Sequence, residues 1–452
     1  MSVGLVRKAV AACAVLGVLL TTAACTRLDQ AAGTDGVQVG TSQPGSVTNS
    51  AAPITVAPLP VDGDKSPAAS SVPSVTETTS SSSAPQFPPA TVTGSPALNS
   101  TDVAPGEPIV LTSLGGTLES VSFAKEDGSE VPGELSADRT GWTTSTKLGF
   151  GHTYTVSGTA VNVDGLRTPI TGTYTTATTT DPVNVSISPR NGAEVGIAAP
   201  IIVSLGYRPD DLALIEKNVS VVTDPPVEGA WAWIQHAGYT YPSLDWRPEK
   251  YWPAGTKVHV EANLYGLKFA DKWYGGEDVA VDFVIGRNQI VKADAKTNSV
   301  TVLRDGKLFA KYNGSFGKGD KTGDPNLVTR SGIHVVTSKH EVYHMSNPAY
   351  GYTDAKEFWA VRISNNGEFL HNNPGTSAWQ LANSHVTHGC INMSWKDAKA
   401  YFESAMYGDP VEITGTSMQL SRKDGDIYDW TIPWAEWKTL SALSPDSTVV
   451  GN

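Results

Sequence analysis

The sequence predicts a mainly β protein, with two small β-sandwiches followed by a third, β-rich unit and a short aromatic tail. Three observations carry this prediction. Short runs of alternating apolar and polar residues recur from about residue 107 onward, separated by turn dipeptides such as Gly115-Gly116, Asp127-Gly128, Asp164-Gly165 and Asp305-Gly306. A helix signal stands out only once, where Ser394 can cap a helix running from about Trp395 to Tyr407, ended by Gly408. Composition supports folded cores over most of the 452 residues, with 40% hydrophobic and 17% charged. At roughly 100–200 residues per domain, that length suits about three domains.

The elements follow in order. Residues 1–25 read as a secretory signal: Arg7 and Lys8 supply the positive start, Ala9 to Leu20 the apolar run, and small residues follow. The apolar run is shorter than the roughly 20 residues a transmembrane helix needs. It ends in Thr22-Ala23-Ala24-Cys25, which resembles a bacterial lipobox with Thr22 in place of the usual leucine. Cys25 is therefore expected to carry a lipid, anchoring the chain on the extracytoplasmic face of the cell membrane. Residues 26–106 are rich in Ser, Thr, Pro, Ala and Gly, and read as a disordered tether, because they offer too little apolar surface to offset their ordering entropy. Residues 107–178 and 179–285 form the two sandwiches. Their strands include Leu118–Phe123 and Thr153–Val156 in the first, then Ile201–Leu205 and Val258–Ala262 in the second. Residues 286–415 form the third unit, whose pattern stays β until Ser394, and 416–452 the tail. In the tail, the cluster around Trp430, Trp434 and Trp437 is expected to pack on a neighbouring domain.

A net charge of −12 argues against a nucleic-acid binder, which normally shows a basic patch. The cysteines are Cys13, Cys25 and Cys390. With Cys13 removed in the signal and Cys25 at the anchor, Cys390 is a lone thiol in a compartment that favours disulfides, which flags either reactivity or a buried structural cysteine.

The chemistry concentrates in Ser384-His385-Val386-Thr387-His388-Gly389-Cys390-Ile391-Asn392. A thiol attacks a carbonyl as its thiolate and needs a nearby base, most readily histidine. His371, His385 and His388 all precede Cys390, and spacing alone does not choose among them. Gly389 lets backbone come close to a substrate, and the N–H groups of Gly389 and Cys390 could form an oxyanion hole. Two other readings compete: a metal site of His385, His388 and Cys390, and a structural turn in which the histidines only satisfy hydrogen bonds.

His371 followed by Thr387-His388-Gly389-Cys390-Ile391-Asn392 resembles the signature of L,D-transpeptidases with a YkuD-type catalytic domain. The resemblance extends from about Glu107 to Trp437. The sandwiches look like the paired immunoglobulin-like domains of mycobacterial and corynebacterial members, and the tail resembles their C-terminal subdomain. It implies Cys390 as nucleophile and His371 as its base, oriented by the Asn372 carbonyl. It also implies His388 as a buttress, Tyr352 facing the oxyanion, and Asn366, Gly367 and Asn392 in the substrate cleft. One departure is the stretch Leu327 to Gly332, which lacks a proline often found before the active-site lid.

The activity so implied is a cysteine acyl transfer between peptidoglycan stem peptides, forming 3→3 cross-links and contributing to cell wall biogenesis and cell shape. Acylation by carbapenems is also implied. Neither a cofactor nor a metal is expected; the loop 268–272, where some relatives bind calcium, has Asp271 as its one acid. The rival readings are an L,D-carboxypeptidase or cysteine amidase using water as acceptor, and a non-catalytic wall-binding lipoprotein. Transfer to glycine or to a protein lysine is a narrower variant.

Overall fold

A computed structural model describes residues 86–236 and 238–449; the expected signal, the Cys25 anchor and most of the expected tether lie outside these residues. Alternation in the first sandwich places Leu111, Leu118, Phe123, Trp142, Val156, Ile170 and Tyr174 between two sheets, all nearly inaccessible. One sheet orders the strands Thr91–Ser95, Val110–Leu114, Gly141–Thr144 and Gly133–Leu135, and the other orders Gly116–Lys125, Thr153–Asn162 and Arg167–Thr175. The tether therefore ends earlier than the sequence suggests. Thr91–Ser95 pairs antiparallel with Val110–Leu114, and Ala90 is buried, so the stretch before residue 107 is part of the sandwich. Its Pro, Ser and Thr content hides a strand that pairs with a partner some twenty residues on.

The second sandwich repeats the plan with a four-stranded sheet on each side of a core containing Val203, Leu244, Trp246, Val260, Phe269 and Phe283. Its strand Ser243–Pro248 is buried along its whole length. One of its faces turns to the sandwich core, and the other is covered by the tail. The helix Trp434–Thr439 lays Trp437, with no exposed surface, against Ala232 and Ile234 of the strand Gly229–Ile234, and Trp437 Nε1 donates to the Ala230 carbonyl at 2.9 Å. Trp430 Nε1 likewise donates to the Ala198 carbonyl at 2.9 Å. The aromatic cluster thus packs on a neighbouring domain.

The third unit is built on two sheets that pack around Val300, Val361, Leu370, Ile391, Met393 and Tyr401. The first orders Lys307–Asn313, Ser299–Arg304, Gln289–Asp294, Pro410–Thr414 and Gly332–Val335; the second orders Ser338–Asn347, Tyr352–Arg362, Phe369–Asn372 and Ile391–Met393. Ser394 caps the helix Trp395–Ser404 by accepting from the Asp397 N–H, and the helix stops at Ala405, short of Gly408. The unit is not β throughout up to Ser394, because Gly319–Thr322 and Ala378–Asn383 are also helical. Ala378–Asn383 carries a complete capping box between Ser377 and Gln380, a signal present in the sequence that a run of only six residues made easy to overlook.

Close backbone contact joins the third unit to the second sandwich. The Gly196 N–H donates to the Tyr407 carbonyl at 2.7 Å and the Ala198 N–H to that of Gly408 at 2.8 Å. A Cβ on Gly408 would stand 2.6 Å from that of Ala199, so glycine is required there. Beside this joint, buried Asp409 accepts from Arg287 at 2.9 Å and from Gln289 at 3.0 Å, which ties the start of the unit to its last strand.

Candidate active site

The parallel pairing of Phe369–Asn372 with Ile391–Met393 sets His371 opposite Asn392. Pairing therefore brings the histidine upstream and the segment around Cys390 to one sheet edge, although nineteen positions separate His371 from Cys390 in sequence. Cys390 sits half-buried in a cleft of about 330 Å³ lined by Tyr352, Glu357, His371, Thr387, His388 and Asn392 among others. Its thiol donates to the Gly367 carbonyl at 3.4 Å.

His371 is almost wholly buried and lines the cleft together with Cys390. On its other side, Nδ1 lies 3.3 Å from Glu357 Oε2, an ion-pair distance without hydrogen-bond alignment. Burial disfavours the imidazolium, but the Cys390 and Glu357 side chains outweigh it and raise the His371 pKa to about 10. An imidazolium beside the sulfur is the partner that a thiolate needs when it forms, and the thiolate is the form in which a cysteine is a nucleophile. Glu357 is itself fixed, since Oε1 accepts from Asn373 Nδ2 at 2.7 Å. The group that flanks His371 is therefore this carboxylate, and not the Asn372 carbonyl that the family resemblance implied. Around a buried imidazole, a charged neighbour outweighs a neutral carbonyl in stabilising an imidazolium.

Glu357 was the functional residue missed from sequence. In a regular strand, Tyr352 and Glu357, five positions apart, would face opposite sides. A bulge reverses this. Tyr352 pairs with Asn347 and Ala355 with Met345, so that Thr353 and Asp354 stand against Ser346 alone, and Asp354 within the bulge has φ +55°. The extra residue turns both side chains into the cleft.

The three histidines separate cleanly. His385 turns away from Cys390: its Nδ1 accepts from the Phe316 N–H at 3.3 Å. A metal site of His385, His388 and Cys390 is therefore not assembled. His388 lies tilted against the rings of Tyr352 and Tyr350, with centroids 5.2 and 5.7 Å apart, and its Nε2 is 3.2 Å from Lys318 Nζ. Burial and the Lys318 charge lower its pKa, so it is neutral and accepts from the lysine. It buttresses Tyr352 as well as the cysteine turn.

That turn is held by Thr387, whose hydroxyl donates to the Cys390 carbonyl at 2.6 Å and accepts from the Gly389 N–H at 3.1 Å. Gly389 has φ +127°, a conformation open to glycine. Its N–H is committed to Thr387, which removes it from the expected oxyanion hole. The Cys390 N–H and the Tyr352 hydroxyl remain for that role. Burial, Cys390 and Glu357 raise the Tyr352 pKa, so its hydroxyl keeps the proton it would donate. Asn392 lines the cleft with Nδ2 donating to Thr376 Oγ1 at 2.8 Å, while its buried Oδ1 has no protein partner and is available to a substrate N–H.

Gly367 contributes its carbonyl, but Asn366 is exposed outside the cleft, with its N–H donating to the Asp424 carbonyl at 3.0 Å. The turn at Gly367, with φ +84°, points neighbouring residues in different directions.

Residues 288–413 match the L,D-transpeptidase catalytic domain family, and residues 100–268 match a bacterial Ig domain. L,D-transpeptidase 5 of Mycobacterium tuberculosis is 45% identical over 350 residues, covering 77% of this chain and 76% of the relative. L,D-transpeptidase 2 of the same species is 31% identical over 348 residues, covering 74% and 81%. A solved L,D-transpeptidase in complex with imipenem aligns at 27% identity and a TM-score of 0.42, covering 51% of this chain and 99% of that one. With a buried histidine beside a half-open thiol at the heart of the matched region, this chain belongs to the L,D-transpeptidase family.

Proposed function

We propose that this L,D-transpeptidase forms 3→3 cross-links between peptidoglycan stem peptides. The observation that carries the reading is the Cys390–His371–Glu357 array on the wall of an open cleft. In the first step the Cys390 thiolate attacks the carbonyl that joins the third residue of a donor tetrapeptide stem to its terminal D-alanine. The developing oxyanion accepts from the Tyr352 hydroxyl and the Cys390 N–H. As the C–N bond breaks, imidazolium His371 protonates the departing amine, and D-alanine leaves a thioester behind. In the second step the side-chain amine of the third residue on another stem attacks the thioester. Neutral His371 takes the amine's proton, and the thiolate is released.

Glu357 keeps His371 charged while the thiolate forms and oriented while the proton moves. The same array would open the ring of a carbapenem and hold it as an acyl-enzyme. For location, the reading is a lipid anchor at Cys25 with the residues beyond it reaching into the wall, supported by the Thr22-Ala23-Ala24-Cys25 motif. Labelled fatty acid should then be incorporated into the wild-type protein and not into Cys25→Ala.

The test of the reaction is incubation with purified tetrapeptide stems, followed by mass spectrometry. Cross-linked dimer together with free D-alanine is the expected result. Free tripeptide without dimer would show that water is the acceptor, and would overturn the transpeptidase reading in favour of a carboxypeptidase.

A further inference from the structure

Outside the cleft, three ionisable side chains from distant parts of the chain converge where the tail meets the second sandwich. His236 follows the strand Gly229–Ile234, Asp245 lies within Ser243–Pro248, and Asp429 opens the short helical turn Asp429–Thr431 of the tail. One ligand atom from each lies within 4.8 Å of the others, and all three residues are buried. We propose that His236, Asp245 and Asp429 form a structural site for a divalent cation, Zn²⁺ by its chemistry, that fastens the tail to the second sandwich.

The hydrogen bonds around the cluster lead to this assignment. His236 Nδ1 faces the Asp426 carbonyl at 2.7 Å, which can only accept, so Nδ1 carries a proton. Nε2 faces Asp245 Oδ2 at 2.8 Å, which as a carboxylate also only accepts. A proton or a cation must therefore stand between them. A proton, making His236 an imidazolium, would satisfy Asp245 and leave Asp429 aside. Yet Asp429 has no exposed surface, and neither of its carboxylate oxygens has a hydrogen-bond partner. A buried carboxylate left in this state is costly. One dication at the centre of the three groups serves Nε2 and both carboxylates together, and two carboxylates neutralise its charge.

Arg247 does not take that place. Its guanidinium lies over the rings of Trp430, Trp434 and Trp437, at 4.4 to 5.3 Å from their centroids, and donates to the carbonyls of Pro248 and Ile432. Around the ligands, the outer shell is already in place. The Asp426 carbonyl holds the His236 ring in the tautomer that presents Nε2, and the Ser243 hydroxyl donates to Asp245 Oδ1 at 2.6 Å, which leaves Oδ2 to turn inward. One imidazole with two carboxylates suits Zn²⁺, whereas Mg²⁺ and Ca²⁺ favour more numerous, all-oxygen ligands.

The placement gives the site a purpose. Asp426, whose backbone orients His236, pairs through its own carboxylate with Arg362 at 3.4 Å, on the strand Tyr352–Arg362 that also carries Tyr352 and Glu357. A metal here would lock the second sandwich, the tail and the catalytic sheet in one arrangement.

The experiment uses the full-length protein purified without an affinity tag, supplied with Zn²⁺ and then dialysed against metal-free buffer. Elemental analysis is expected to find about one Zn²⁺ per chain in the wild type and in Cys390→Ala, and less than about a tenth of that in Asp429→Asn. Crystals of the wild type, measured at the zinc absorption edge, are expected to show an anomalous peak between His236, Asp245 and Asp429, a measurement that does not depend on any variant folding. No zinc in the wild type, zinc retained in Asp429→Asn, a peak at Cys390 instead, or ordered water alone at the cluster would each overturn the proposal. Transpeptidation by the wild type is scored separately, so failure of the metal site leaves the catalytic reading standing.

Discussion

Two buried histidine–carboxylate pairs of this molecule, His371–Glu357 and His236–Asp245, have different fates. In both, a carboxylate lies within 3.3 Å of the imidazole and both side chains are almost fully inaccessible. In both, the histidine pKa is raised against the effect of burial, to about 10 for His371 and about 9 for His236. The difference lies in what the imidazole meets on its far side. His371 meets a thiol that opens onto a cleft, and its charge is available to a reaction. His236 meets a backbone carbonyl, with the closed tail beyond, so no reacting group reaches it and it serves only the joint between tail and sandwich. The same pair becomes catalytic or structural according to whether a nucleophile and a substrate can reach it.

That contrast can be broken or sharpened by substitution, with carbapenem acylation followed by intact-mass and rapid-mixing measurements. Cys390→Ala should abolish the adduct altogether, and an adduct that persists would remove the thiol from the mechanism. His371→Ala should slow acylation by roughly 10²–10⁴-fold, the range for a lost general acid–base. Tyr352→Phe, which loses an oxyanion donor and keeps the ring against His388, should cost roughly a hundredfold.

Glu357→Gln should have a smaller effect at neutral pH, roughly tenfold, and a diagnostic one on the pH profile. Glu357 raises the His371 pKa, so removing its charge lowers that pKa. The alkaline limb, set by loss of the imidazolium proton near about 10 in the wild type, should then move to lower pH. An unshifted limb would mean that Glu357 only fills space.

At the other pair, Trp437→Ala should leave acylation unchanged while lowering stability by about 3–5 kcal/mol, as expected for a fully buried tryptophan, read from the denaturant midpoint. If acylation falls with stability intact, the tail acts on the cleft directly, and the two regions are less separate than their contacts indicate.

Much of the site was legible in sequence because its chemistry is local. Thr387 to Asn392 is one turn and one strand; the threonine hydroxyl, the glycine backbone and the thiol act on one another within four residues. The helix at Trp395 was likewise announced by Ser394, two letters after Asn392. The start of the first sandwich was obscured because Thr91–Ser95 has turn-like composition and gains its strand by pairing. The expected Asn372 orientation of His371 gave way to Glu357, a contact that no spacing reveals, and the Gly389 oxyanion donor gave way to Thr387, two residues before it.

By itself, then, the sequence determined the β class, the succession of units, the nucleophile and the residues able to serve it, because alternation, caps and tight turns are properties of neighbouring residues. Tertiary structure decided which histidine meets Cys390, that Glu357 stands behind it, and that His236, Asp245 and Asp429 share one buried point. These depend on a parallel strand pairing, on the extra residue of a bulge that reverses which face a side chain takes, and on a tail that returns across nearly two hundred positions to the second sandwich. Such contacts are set by the register of long-range packing, where a shift of one residue exchanges buried for exposed, and local pattern does not encode that register.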